Sequence, residues 1–491
     1  ALSSYNEYRY ILTIIKKMKK LLLTICFLCP LLSANELPEL GSYTDNIISS
    51  VEEDRISKQI LYQVNQSPSV VHDVEIDDYL AGLGSRLLSV TSISNRRIEF
   101  FIINDSTINA FAMLGGVIGV HTGLFLAANS ESELASVLAH EISHITQKHL
   151  PRIIAAQQRD SFKTALGMAL ALLVARSNPQ LASGAMTAAS ASAVQNTLDF
   201  TRTNEQEADR EGMKVLAQAG FDVRAFIDFF KTMQRGNQFS DGAAPNFLRT
   251  HPVTNDRISD IQDRLKEYPY KQRADSDSFY YIKGKLRAYL EERSTIIGIL
   301  EQNIANKAYL NEDGERFALA YAYFRDNQIN KARKELETLK KSKPTNPMLL
   351  NLDTMLLIKE GRMADATVLY QKGLSMFPNY RALVYGLASH YINLGENSKA
   401  MSLLSKYLQI YKRDPNLYEL MAKTQASEGK VLLQYENMSE AFYYRYNYRE
   451  AITLMDLAVR AKDGDFYDKS RVEARLKELQ REEMLFKQSF N

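Results

Sequence analysis

The chain has 491 residues, ample length for two domains, each with its own core. Its 60 basic and 58 acidic residues leave a net charge of +2. That balance gives no basic excess for a nucleic-acid partner and no reason to expect a strongly anionic surface.

Residues 1–17 precede Met18-Lys19-Lys20 and do not start with Met, which reads as an upstream extension. The apolar run 21–32 follows, then Ser33-Ala34, the layout of a secretory signal peptide cleaved after Ala34. Leu32 departs from the small residue that cleavage favours, and a retained N-terminal anchor is the alternative. Both cysteines, Cys26 and Cys29, fall in this leader. The processed chain would then hold no thiol for a disulfide, a nucleophile or a metal.

Residues 43–65 and 74–89 carry helical apolar spacing. Residues 97–103 form a β-branched and aromatic run that predicts a strand. Residues 109–113 and 117–121 predict two short strands about the turn Leu114-Gly115-Gly116. An exposed edge there could hold an extended peptide through its backbone. A packed hairpin with no such role is the competing reading. Asn129 or Ser130 then caps a helix whose first turn holds Glu131 and Glu133.

That helix carries His140-Glu141-Ile142-Ser143-His144. At this H-E-x-x-H spacing both imidazoles lie on one face, one turn apart, and can reach one zinc ion. Glu141 is then placed to take a proton from water. A buried helix that happens to contain two histidines is the plainer reading, and a second motif weighs against it: Asn204-Glu205-Gln206-Glu207-Ala208-Asp209. A catalytic zinc needs three protein ligands and one open position. Glu205 can supply the third ligand, and Asp209, four residues on, can accept a hydrogen bond from a ligand histidine. Otherwise this run is a solvated charged face. Glu207 points elsewhere and reads as structural.

Between the motifs, residues 165–175 are apolar and 180–194 are rich in small residues. The apolar run is too short to span a bilayer. It reads as two helices, either a close hairpin or a pair beside the active site with peripheral contact to membrane or substrate. His149, nine residues after His140 and placed on the same helix, faces about half a turn away and reads as a non-ligand. His251 lies in a loop before Pro252. It can donate to an oxyanion, fill the open metal position as a plug, or simply be a satisfied loop histidine. His72, His121 and His390 read as structural.

The C-terminal half repeats. Ala332, Ala366 and Ala400 recur every 34 residues, as do Gly361, Gly395 and Gly429, and Pro344 and Pro378. This is the tetratricopeptide period, with the Gly and Ala assigned to close helix crossings. The pattern slips after Pro415, and Ala451 resumes it out of phase. About four helical hairpins, one irregular, and a capping helix near residues 472–488 are expected. Their concave side is a candidate groove, with Tyr380, Tyr385, Tyr391, Tyr443, Tyr444 and Tyr446 as lining or packing residues.

The stretches Leu138–His144 and Thr203–Arg210, an H-E-x-x-H followed at a distance by E-x-x-A-D, resemble family 48 of the metallopeptidases, and within it the periplasmic branch that carries C-terminal tetratricopeptide repeats. The resemblance spans nearly the whole processed chain. It implies an α+β but mostly α fold: a gluzincin-type protease domain with a small sheet, then an α-solenoid. Boundaries follow at 1–34, 35–270, 271–310 for connecting helices, and 311–491. The resemblance also implies one zinc ion held by His140, His144 and Glu205, with Glu141 and His251 as catalytic residues and Asp209 behind the ligands. It implies a periplasmic endopeptidase with chaperone-like activity that acts on unfolded or misassembled outer-membrane proteins. The β-barrel assembly machinery is the partner it implies, reached through the repeats, near the outer membrane. A mainly non-proteolytic chaperone or scaffold is the alternative, and an aminopeptidase a weaker third reading.

Overall fold

The structure, a computed structural model, describes residues 49–156, 202–238, 247 and 251–487. The leader with its two cysteines, and the segments 165–175 and 180–194, lie outside the described residues.

Helices α1 (Ser50–Gln66) and α2 (Val74–Leu88) flank the short strand β1 (Val70–Val71). Asp73 caps α2 by accepting from the Glu75 and Ile76 backbone N–H groups. Strands β2 (Glu99–Ile103), β3 (Ala110–Met113) and β4 (Val117–His121) follow. The sheet order is β1-β2-β4-β3. β2 and β4 run parallel, with Phe101 opposite Gly119. β3 and β4 form the expected hairpin, Ala110 opposite Val120, and β3 is the edge. Gly115 and Gly116 both take positive φ, 79° and 76°, in the three-residue turn Leu114-Gly115-Gly116, a conformation that suits glycine.

After α3 (Thr122–Ala127) comes α4 (Glu131–Thr146). Ser130, not Asn129, is its cap: the Oγ accepts from the Glu133 backbone N–H, and the Glu133 carboxylate accepts from that of Asn129. The helix is buried along almost its whole length, Glu131 to His144. Lys148 takes a left-handed φ of 52°, so α4 stops and a separate helix, α5 (His149–Ala156), starts. Helices α6 (Arg202–Gln218), α7 (Ala225–Gln238) and α8 (Asn255–Leu265) complete the layer around α4.

Helices α9 (Asp277–Leu290) and α10 (Arg293–Asn306) lead into the pairs α11 (Glu312–Arg325) with α12 (Ile329–Ser342), α13 (Pro347–Lys359) with α14 (Met363–Met376), and α15 (Arg381–Asn393) with α16 (Asn397–Ile410). Then come α17 (Pro415–Ser427), α18 (Val431–Tyr444), α19 (Tyr448–Arg460) and α20 (Phe466–Lys487). Ala332, Ala366 and Ala400 are fully buried at the fourth residue of the second helix of each pair, as expected. The glycines have a different task from the one the repeat pattern suggested. Gly361, Gly395 and Gly429 take φ of 71–77° in the turn between paired helices, in open space rather than at a crossing.

The phase slip also has a backbone cause. The turns before α18 and before α19 are both of this within-pair kind, with Tyr446 left-handed where a glycine would stand. α18 therefore acts as second helix to α17 and first helix to α19. Ala451 follows Tyr446 by the five residues that separate Gly361 from Ala366.

Apolar residues of the sheet-bearing half and of the repeats share one core, running from Val71 through Phe279 and Phe317 to Leu356. The Tyr281 and Phe317 rings stack at 4.7 Å across α9 and α11. The expectation of separate cores split at residue 310 does not match this packing. Three of the candidate groove tyrosines hydrogen-bond within the molecule: the Tyr380 hydroxyl donates to Glu75, Tyr385 to Asp414 and Tyr443 to Glu482.

Candidate metal centre

α6 crosses α4 closely because Gly212 has no side chain. A Cβ there would lie 3.2 Å from the His140 backbone nitrogen and 2.9 Å from the Phe226 ring. That approach lays the acidic face of α6 beside the histidine face of α4. His140 Nε2 and His144 Nε2 are 3.0 Å apart. Glu205 points between them, its oxygens 3.5 Å from His140 Nε2 and 3.6 Å from His144 Nε2. The His140 Nδ1 faces Asp209 at 3.0 Å. His251, in the segment before α8, also enters the cluster, its Nδ1 3.0 Å from a Glu205 oxygen and its Nε2 3.6 Å from Glu141. His140, His144, Glu205 and His251 each offer one ligand atom, all within 4.8 Å of one another, and all four are buried.

A divalent cation fits this set. Glu141, Glu205 and Asp209 are buried carboxylates, and Arg257 is the guanidinium among them. Three negative charges against one positive leave two to be balanced when the imidazoles are neutral. Both Glu141 oxygens are buried with no hydrogen-bond partner, which is costly unless something else occupies the space they face. Protonation is coupled within the cluster, with imidazoles and carboxylates shifting one another. Burial opposes a proton on His140, but hydrogen bonds to Asp209 and Glu205 outweigh it and raise its pKa to about 10. Burial and the neighbouring His140 push His144 well below its ordinary value. Glu205 is held well below the carboxylate range, against its burial, by His251 and His140.

Every expected site residue is thus in one cluster: His140, Glu141, His144, Glu205, Asp209 and His251. Three further residues were given no part in the site from sequence. Arg257 donates from Nε and Nη2 to the two Asp209 oxygens at 2.7 and 2.8 Å, and its Nη1 lies 2.9 Å from Glu205. Phe247 stacks on His251 at 4.7 Å and donates its backbone N–H to the Ile108 carbonyl, just before the edge strand. His149 is not on the helix of His140 at all. The Lys148 turn brings it back so that its Nδ1 is 2.8 Å from the His144 Nδ1, and its Nε2 meets Glu207 at 3.1 Å. Pro151 was the signal for that break, since a proline is tolerated in a first turn but not in a helix interior. His121 and His390 are structural as expected, bonded to Thr107 and Thr367.

Residues 76–265 match Peptidase family M48, and residues 357–424 match a tetratricopeptide repeat. The chain is 30% identical over 475 residues to the putative beta-barrel assembly-enhancing protease of Vibrio cholerae, covering 94% of this chain and 98% of that one. It is 29% identical to the beta-barrel assembly-enhancing protease of Escherichia coli K12, covering 93% of each. It is also 30% identical to the mitochondrial metalloendopeptidase OMA1 of Schizosaccharomyces pombe, over 43% of this chain and 60% of that one. The chain belongs to peptidase family M48. It is a metalloendopeptidase with zinc as its cofactor, an α+β protease domain followed by tetratricopeptide repeats.

Proposed function

We propose that the protein is a periplasmic zinc endopeptidase of outer-membrane protein quality control, held in a restrained state by His251. The observation that carries the proteolytic part is the buried donor set within 4.8 Å, beside a Glu141 carboxylate that accepts no hydrogen bond. His140, His144 and Glu205 would hold the metal. Zinc bound there supplies a Lewis acid that polarises a peptide carbonyl and makes a water acidic near neutral pH. Glu141 takes that water's proton and returns it to the leaving amine. Asp209 fixes the orientation of His140 through Nδ1, and Arg257 holds Asp209 and Glu205 in place. Among the described residues β3 is an edge strand next to the metal helix, and its backbone can take up an extended substrate whatever its sequence.

His251 stands as a fourth donor where the reaction needs an open position. The Phe247–Ile108 hydrogen bond ties its segment to the start of β3. A peptide adding to that edge would compete with this tie and draw His251 out, a gating step set by substrate itself. The restraint also favours the second reading, a chaperone or scaffold that cleaves rarely.

The substrate and partner reading draws on the relatives, two of which are named as enhancing β-barrel assembly. On that basis the clients are misassembled outer-membrane proteins and the repeats contact the assembly machinery, near the outer membrane. No described helix is long and apolar enough to cross a membrane.

The deciding experiment is zinc stoichiometry together with casein cleavage, with and without a chelator. Zinc-free protein that cleaves casein equally well would reject the metallopeptidase reading. His251→Ala gives the sign of the restraint. Faster cleavage of unfolded casein is expected from the plug. A fall of roughly a hundredfold would instead assign His251 to the oxyanion.

A further inference from the structure

His140 and His144 occupy equivalent places in the H-E-x-x-H, yet they are supported differently. His140 turns its Nδ1 to the Asp209 carboxylate at 3.0 Å. The His144 Nδ1 has a different neighbour. It faces another imidazole nitrogen, the Nδ1 of His149, at 2.8 Å. His149 is completely buried, and its Nε2 lies 3.1 Å from the Glu207 Oε2. The same Oε2 accepts from the Arg152 guanidinium at 2.9 Å.

We propose that His149 and Glu207 are positioning residues for the metal centre, a two-step relay that fixes the tautomer of His144 and aims its Nε2 lone pair into the donor cluster. A carboxylate paired with arginine accepts and does not donate, so His149 must carry its proton on Nε2. A neutral imidazole with its proton on Nε2 has only a lone pair on Nδ1. Two lone pairs cannot face each other at 2.8 Å, so the His144 Nδ1 carries the proton and donates. That leaves the His144 Nε2 as the lone pair, on the side where His140 Nε2 and Glu205 lie. Asp209 does for His140 in one step what Glu207 does for His144 in two.

The inference rests on the zinc endopeptidase reading, and the test separates the two. Zinc affinity is measured on the purified full chain by competition with a chromophoric chelator. The visible absorption of the cobalt-substituted protein reports ligand geometry without any turnover. His149→Leu keeps the volume and removes both hydrogen bonds, and is expected to weaken zinc by about 10- to 100-fold and alter the cobalt spectrum. His149→Gln can still accept from His144 and donate to Glu207, and should recover most of that loss, which a packing role would not predict. Glu207→Ala, at the half-exposed end, should cost less, about 3- to 10-fold, without endangering the fold. Arg210→Ala, also on α6 but paired outward to Asp260, serves as the control with unchanged affinity.

Wild-type affinity in both His149→Leu and Glu207→Ala would overturn the relay. So would His149→Gln binding as weakly as His149→Leu. If His149→Leu does not fold, Glu207→Ala decides alone, and unchanged zinc affinity there rejects the proposal. A wild-type chain that takes up no zinc would bring down the endopeptidase reading itself, and this inference with it.

Discussion

Glu141 and Arg257 show how differently two buried charged residues act in one site. Glu141 has no hydrogen bond to hold it and no place among the four ligand atoms. Glu141→Gln should therefore abolish casein cleavage and leave one zinc per chain, because the amide keeps the shape but cannot take a proton. Near-normal cleavage by the purified mutant would remove Glu141 from the mechanism. The alanine variants of His140, His144 and Glu205 should lose zinc as well as activity, which elemental analysis reads directly. Undiminished zinc in Glu205→Ala would point to another third ligand. Arg257 acts on geometry. It is 2% exposed and bidentate to Asp209, so Arg257→Met strands buried carboxylates and should cost about 3–5 kcal/mol of stability. The outward pair Arg210–Asp260, with its arginine 42% exposed, is worth below about 1 kcal/mol by the same measurement. Equal losses on denaturant melts of Arg257→Met and Arg210→Ala would show that the buried triad is not what holds the site. The ligands were legible in the sequence because metal geometry imposes fixed spacings on one helix face. Arg257, His149 and Phe247 were not, because each acts on a partner brought to it by the fold. Only Pro151 announced locally that His149 had left the helix of His140.

At the scale of elements, α2 is the strut on which the repeats close. Glu75 accepts from Tyr380, Asn351 and Lys285, and Arg381 reaches Asp78 at 2.9 Å from α15. None of this shows in the periodicity, which marked α2 only as amphipathic. The cost of crowding acids there falls on Asp77. Burial, then Asp73 and Asp78, raise its pKa to about 7, with Arg381 and Lys285 pulling the other way. The sign of the effect on stability follows from proton counting. Between about pH 4 and pH 7 the folded chain keeps a proton that the unfolded chain has released, so stability falls as pH rises through that window and is flat above it. Asp77→Asn copies the protonated form. It should stabilise the protein by about 1–2 kcal/mol at pH 8 once the screening of a partly exposed group is allowed for, and by nothing at pH 4. Melting curves at the two pH values check this, and an equal gain at both would mean the carboxyl is not the cause. The repeat period itself was legible, since buried alanine and turn glycine must recur with the superhelix. The role given to the glycines was not, because a 34-residue step is the same whether glycine serves a crossing or a left-handed turn.

On the scale of the whole molecule, protease and solenoid are not two bodies on a linker. The sequence suggested a cut at residue 310, because the repeat signature fades there and the metal motifs are already complete. The core says otherwise. Tyr281, Leu286 and Leu300 are fully buried and Ile282 nearly so, all of them N-terminal to that cut, in a core completed by Phe317, Ala318 and Leu336 beyond it. Exposing four such side chains at about 2 kcal/mol each costs roughly 8 kcal/mol, comparable with the whole stability of an ordinary domain. A chain ending at residue 310 should therefore fail to fold, accumulating as aggregate or as a dye-binding species with no cooperative melt. A chain ending at residue 376, after α14, keeps the core from Val71 to Leu356 intact and should fold and hold zinc. It would lose the Tyr380–Glu75 and Arg381–Asp78 ties, so a lower melting temperature is expected. It would also lose α15 to α20 as a surface for protein partners. A monomeric chain ending at residue 310, with a cooperative melt and one bound zinc, would show that the shared core is dispensable. It would restore the simpler picture of a protease that merely carries its repeats.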